Sequence, residues 1–257
     1  MALAVADSSH HETSLWPMVV GLGVLLSVIG LLAHFVWLTP LLAMVLGGMG
    51  LVALALGFAG WAKEFFRQGT EEGLGTIAVT AFIVSEVLIF GTVFVAFWVA
   101  RISHASVWTS FIPIGLDWVF AVWLTIILWA SSLTMVLAQR SFVNGNRGHT
   151  FLWLGTTVVL GGLFTVLHIN EWIHLADSGF RLRTNIFSST FYGLTGVHTA
   201  HVIVGLAIQL LILLALGMGW MRKLGVTLFR GASFYWHFVD LMWLLVAANA
   251  YLIGGSG

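Results

Sequence analysis

Five groups of polar residues in this chain have the types and spacings to do chemistry, and all of them sit in or beside long apolar runs. Glu86 lies within SEVLIF, residues 85–90, well inside one such run. A carboxylate placed there handles protons, meets a lipid or a protein partner, or fixes packing through a hydrogen bond. His198 and His201, in FYGLTGVHTAHVIVG, stand three apart and so share one helical face. Two imidazoles placed this way can ligate metal or haem, or hydrogen-bond a lipid headgroup or a neighbouring carboxylate; a metal centre needs further ligands at workable geometry. His237 and Asp240, in SFYWHFVDLMWLL, repeat the spacing and are expected to shield each other through a hydrogen bond within one helix. Glu171 closes another run with His168, Asn170 and His174, where partial hydration suits a snorkelling surface carboxylate. Trp61, Lys63, Glu64 and Arg67 set basic side chains beside an indole, a combination suited to an anionic lipid phosphate or to plain anchoring at a membrane surface.

The elements that position these groups are expected to be membrane helices. Apolar residues make up 60% of the 257 and charged residues 8%, too little polar surface to wrap a water-soluble globule. A bilayer core of about 30 Å takes roughly 20 apolar residues as a helix. Seven runs of that kind follow one another: Pro17 to Trp37, Leu41 to Gly60, Leu74 to Ala100, Trp118 to Ala138, Phe151 to Trp172, Ser188 to Gly217 and Ala232 to Ile253. Glu86 then lies roughly 18 Å from either end of the third run, near mid-membrane. Carrying a carboxylate there costs about 2.5–3.5 kcal/mol before partners are counted. Only Leu38, Thr39 and Pro40 join the first two runs, which forces a tight hairpin, while the next connector, KEFFRQGTEEG, is the most charged stretch of the chain. The sequence predicts an all-α polytopic membrane protein, a single transmembrane domain over residues 1–257 grouped as two helices and then five.

Charge and cysteine content narrow the chemistry. Ten Lys and Arg balance ten Asp and Glu, so no nucleic-acid partner is indicated. The absence of Cys excludes disulfides, thiolate metal sites, iron–sulfur clusters and covalently attached c-type haem. The N-terminal MALAVADSSHHETSLWP has no basic region before an apolar core and reads as a mature tail. With the N-terminus inside, Lys63, Arg67, Arg140, Arg147, Arg222, Lys223 and Arg230 fall on its side against Arg101, Arg181 and Arg183 opposite, which predicts N-in, C-out. Trp16, Trp37, Trp61, Trp118, Trp153, Trp172 and Trp220 fall near the run ends, where indoles anchor at headgroup level. Small residues in LGGMG (46–50) and LGG (160–162) are expected to let helices approach closely. A stand-alone transporter relaying protons through Glu86, Glu171 and Asp240 is one reading of these groups, but no inverted repeat or Pro-broken helix pair accompanies it. A diheme cytochrome is another, and it requires axial His on facing helices, whereas His198 and His201 share a face.

These stretches resemble, in order and over almost the whole chain, subunit III of the haem–copper cytochrome c oxidases. The matching residues are Trp16-Pro17, Trp61-Ala62-Lys63-Glu64, Ser85-Glu86-Val87-Leu88 with Phe90, Leu160-Gly161 with Phe164-Thr165, and Glu171-Trp172. Further on come Phe191-Tyr192, Thr195-Gly196, His198, His201-Val202-Ile203 and the run Tyr235-Trp236-His237-Phe238-Val239-Asp240 with Trp243-Leu244. The chain departs from the family pattern in its short second connector, in His168 where Gln is expected, and in Arg230 where an acidic residue usually precedes Tyr-Trp-His.

The resemblance implies seven spans, the first two splayed from the other five around a phospholipid-filled, V-shaped cleft. It implies an accessory, non-catalytic subunit with no metal of its own, packed on subunit I beside subunit II, with haem and copper in those partners. Its expected roles are phospholipid binding, support of proton uptake, and protection of the enzyme during oxygen reduction in aerobic respiration. Glu86 would be the family's membrane-embedded carboxylate, and Trp61, Lys63, Arg67, His201 and Arg222 would hold lipid headgroups. The hairpin from Pro17 to Gly60 favours a cytochrome c oxidase over a quinol oxidase, whose relatives commonly lack it. The expected location is an energy-coupling membrane, the bacterial cytoplasmic (inner) membrane.

Overall fold

A computed structural model describes residues 15–35, 39–68, 74–219 and 225–255, without the side chains of 31, 32, 35, 61–68 and 74–80. Among these residues the regular structure is helical: α1 (Trp16–Phe35), α2 (Pro40–Gln68), α3 (Leu74–Ser103), α4 (Trp118–Val143), α5 (Arg147–Asp177), α6 (Ile186–Gly217) and α7 (Gly225–Ala247). A 3₁₀ turn, Trp108–Phe111, precedes α4, and a π-helical turn, Ala248–Ile253, continues α7. Each expected run falls on a helix over its described residues, the first as far as Phe35; six helices are long and apolar enough to cross a membrane, and α1 contributes a shorter apolar stretch, Trp16–Gly30. Several helices outrun their apolar runs: α2 continues through Gln68, α4 through Val143 and α5 through Asp177. Hydropathy marks where hydrocarbon ends, whereas a helix, with its backbone bonds satisfied internally, continues while polar side chains reach headgroup water.

The chain divides into two compact units, residues 1–70 and 71–257. In the first, α1 and α2 pack as a pair. The expected close approach occurs: a Cβ on Gly30 would fall 2.6 Å from the backbone N of Gly47, and one on Gly50 would fall 2.6 Å from the backbone N of Ser27. Backbones this near are what small residues provide in lipid, where hydrophobic burial gives helices no reason to associate. Thr39 closes the hairpin, its backbone N–H and hydroxyl both donating to the Ala33 carbonyl, at 2.9 and 3.2 Å.

In the second unit α6 packs on α3, α5 and α7, and α7 packs on α3, α4 and α6, so these two helices carry the core. Their starts and stops are written locally. Asp117, Asn146 and Asn185 cap α4, α5 and α6 by accepting backbone N–H bonds, and Asn185 and Ser188 cap each other reciprocally. Gly145 and Gly179 follow α4 and α5 with φ of 74° and 92°, the left-handed geometry that lets a chain turn off a helix end. The Arg147 guanidinium donates to the Leu216 carbonyl, placing a cation at the C-terminal end of α6. Trp108, Trp236 and Trp243 are fully buried with Phe90, Phe97, Phe164, Phe187, Phe191 and Phe229. Trp236 is seated by glycine: a Cβ on Gly161 would lie 2.8 Å from its ring and one on Gly205 2.7 Å, while its Nε1 donates to Ser131 Oγ at 3.0 Å.

Candidate functional site

Glu86 lies twelve residues from the start of α3, and His201 stands fifteen residues from the start of α6 and sixteen from its end. Both are therefore near mid-helix, and the packing of α3 on α6 brings them together: His201 Nε2 is 2.7 Å from Glu86 Oε2. The other ring nitrogen, Nδ1, is 2.7 Å from the Val197 carbonyl oxygen. A carbonyl only accepts, so Nδ1 donates, and one proton is left to lie between Nε2 and Oε2. Both divisions of that proton, neutral acid with neutral imidazole or carboxylate with imidazolium, keep the hydrogen bond. Glu86 is 8% exposed. Phe90, one turn further along α3, packs its ring 4.9 Å from His201, and the Tyr235 hydroxyl of α7 donates to the His201 carbonyl at 3.1 Å. Of the pair, His201 makes the contact with a neighbouring carboxylate.

His198 goes elsewhere. It is 0% exposed and enclosed by Phe90, Phe164 and Trp243, with ring centroids at 6.5, 5.9 and 5.0 Å. Among the described residues no group of three or more His, Cys, Asp or Glu could hold a metal ion.

Glu171 is a correction to the surface reading. Its side chain is 10% exposed, and Oε2 accepts from the Tyr251 hydroxyl at 2.6 Å while facing His168 Nδ1 at 3.2 Å. Because α5 runs on past Trp172 to Asp177, Glu171 is not at the helix end, and the π-helical turn brings the Tyr251 hydroxyl to it. Asn170 and His174, beside it on the same stretch of helix, are exposed. A π-helical turn re-aims the side chains it holds, and such turns recur at functional positions.

The expected His237–Asp240 bond does not form. His237 Nδ1 instead meets Ser132 Oγ on α4 at 3.2 Å, and Asp240 Oδ1 has no hydrogen-bond partner among the described residues. Packing of α4 on α7 offers His237 an interhelical hydroxyl, which replaces a partner three residues along the same helix. The side chains of Trp61, Lys63 and Arg67, and all of Arg222, lie outside the described residues.

Tyr251, Tyr235 and Ser132 complete these contacts and were not singled out by spacing. A compositional signal for two of them exists: the chain has 3 Tyr against 19 Phe. In so apolar a chain a ring with a hydroxyl has a partner when buried, and all three do, Tyr192 donating to the Phe180 carbonyl at 2.7 Å.

The comparisons agree with this helix plan. The family model for cytochrome c oxidase subunit III matches residues 9–255. A cytochrome c oxidase subunit 3 of Drosophila yakuba is 32% identical over 257 residues, covering 95% of each chain. One from Alkalihalophilus pseudofirmus is 37% identical over 182 residues, covering 68% of this chain and 85% of that one. A third, from Pelomedusa subrufa, is 31% identical over 262 residues, covering 93% and 94%. With the match spanning all seven helices, the chain belongs to the cytochrome c oxidase subunit III family.

Proposed function

We propose that this chain is the accessory subunit III of a haem–copper cytochrome c oxidase, seated on subunit I with subunit II in the same complex. The observation that carries this is the collinear family match over residues 9–255. Haem and copper belong to the partner subunits, and this chain contributes structure, lipid and control of protons rather than a redox centre. The chain is a single transmembrane domain, N-in and C-out, in the cytoplasmic membrane of a bacterium.

Within that role, Glu86 and His201 act as a unit. A carboxyl and an imidazole 2.7 Å apart at mid-helix satisfy each other in low-dielectric surroundings without leaving either group unpaired. This suits a subunit that steadies the electrostatics beside a proton-consuming partner. Trp61, Lys63, Arg67 and Arg222 supply the indole and cationic groups for phospholipid headgroups. His201, engaged at both ring nitrogens, is the weakest headgroup ligand of the five candidates.

The test is turnover with and without this chain. Oxidase from a strain lacking it should be assembled and initially active, should take up protons more slowly, and should lose activity progressively as it turns over. Equal proton uptake and equal endurance in the two preparations would contradict the proposed role.

A further inference from the structure

The bundle of α3 to α7 buries more polar atoms than its own hydrogen bonds satisfy. Among the described residues neither ring nitrogen of His198 has a hydrogen-bond partner, and His168, with Nδ1 on Glu171, leaves Nε2 without one; both residues are 0% exposed. Trp172, whose ring lies 5.0 Å from that of His168, has an unpartnered and buried Nε1. The two histidines flank the same aromatic pair. Trp243 stands 5.0 Å from His198 and 5.3 Å from His168, and Phe164 stands 5.9 and 5.7 Å from them.

Buried polar atoms in native proteins almost all have a partner, in protein or in ordered water. The orphaned atoms here differ in kind. An indole N–H only donates, while a neutral imidazole offers one donor and one acceptor. What serves them must both donate and accept and must be small, because Phe164 and Trp243 pack against both histidine rings. Water meets these terms, and it is held where a polar site offers two to four partners. Among the described residues no metal-binding group competes for the position.

The site also lies between two others. His198 is one turn along α6 from His201, which holds Glu86, and His168 is one turn along α5 from Glu171, which holds Tyr251. Water on the ring nitrogens of His198 and on His168 Nε2 would stand within one helical turn of a member of each carboxyl pair.

We propose that His168 and His198 hold ordered water between α5, α6 and α7, and that this water joins the Glu86–His201 pair to the Glu171–Tyr251 pair in one hydrogen-bonded network.

Two measurements on the intact complex containing this chain test it. An electron cryo-microscopy map resolved well enough to show ordered water should contain density within hydrogen-bond distance of His168 Nε2 and of a ring nitrogen of His198. Infrared difference spectra, with the Glu86 carboxyl band identified by its loss in Glu86→Gln, should show that band shifted in His168→Leu, a change that touches neither Glu86 nor His201. Absence of density at the two histidines would overturn the water site. Density with an unmoved Glu86 band would overturn the network, and the wild-type map decides the first point even where His168→Leu fails to assemble.

Discussion

Glu86 Oε2 and His201 Nε2, 2.7 Å apart, join α3 to α6 near the middle of both helices, and the Nδ1 donation to Val197 fixes which histidine nitrogen faces the acid. Glu86→Gln keeps the shape and supplies an N–H donor to Nε2, so the variant should accumulate in the membrane and assemble like the wild type. Glu86→Ala leaves the imidazole without its partner and should destabilise by about 1–3 kcal/mol. Thermal unfolding of the purified protein, wild type against both variants, measures the difference.

Tyr251 donates to Glu171 at 2.6 Å from a π-helical turn. Tyr251→Phe removes only the hydroxyl and leaves an oxygen of a largely buried carboxyl with His168 alone, so a loss of about 1–3 kcal/mol is expected. Tyr235→Phe removes a neutral bond to the His201 carbonyl and should cost about 0.5–1.5 kcal/mol. A larger effect for Tyr235→Phe than for Tyr251→Phe in parallel melts would reverse the ranking.

Gly161 and Gly162 are neighbours with different surroundings. A Cβ at Gly161 meets the Trp236 ring and Leu206 at 2.8 Å, while one at Gly162 meets nothing within 4 Å. Gly161→Ala should lose about 1–3 kcal/mol through overpacking, and Gly162→Ala should be neutral or slightly stabilising through helix propensity. Trp236→Ala, which empties the centre of the core, should cost about 3–5 kcal/mol. Unfolding midpoints of the three variants decide the order.

Most of the helix plan was legible because a span is a property of contiguous residues. Trp118, for example, opens the fourth helix both in the apolar run and in the structure. Ends past the hydrocarbon were not, since residues such as Lys63 and Glu64 lower hydropathy without ending a helix. The site was legible in its members and not in its pairings. Spacing of three marks neighbours on one helix, and on that basis His237 was set with Asp240 and His198 with His201. The partners are chosen instead across helices, Ser132 for His237 and Glu86 for His201, because interhelical packing decides which polar atoms meet. Glu171 was misplaced for a related reason: its helix continues a turn beyond the apolar run, and the π-helical turn that brings Tyr251 to it has no local sequence signature.

His237 bridges α7 to α4 through Ser132 at 3.2 Å. Ser132→Ala should cost about 1–3 kcal/mol by stranding the imidazole, while His237→Phe combined with Ser132→Ala should cost less than the sum of the two single changes. A double-mutant cycle on thermal unfolding reads the coupling, and strict additivity would show that the contact contributes nothing.

The central claim, membership of a haem–copper oxidase as a subunit without a redox centre, is tested most directly by gentle purification through a tag on this chain, with visible spectra of the complex and of the separated polypeptide. The expected result is co-purification with a haem–copper catalytic subunit, haem absorbance in the complex and none in this chain alone. Haem retained by the isolated polypeptide, or purification with no oxidase subunit, would contradict it.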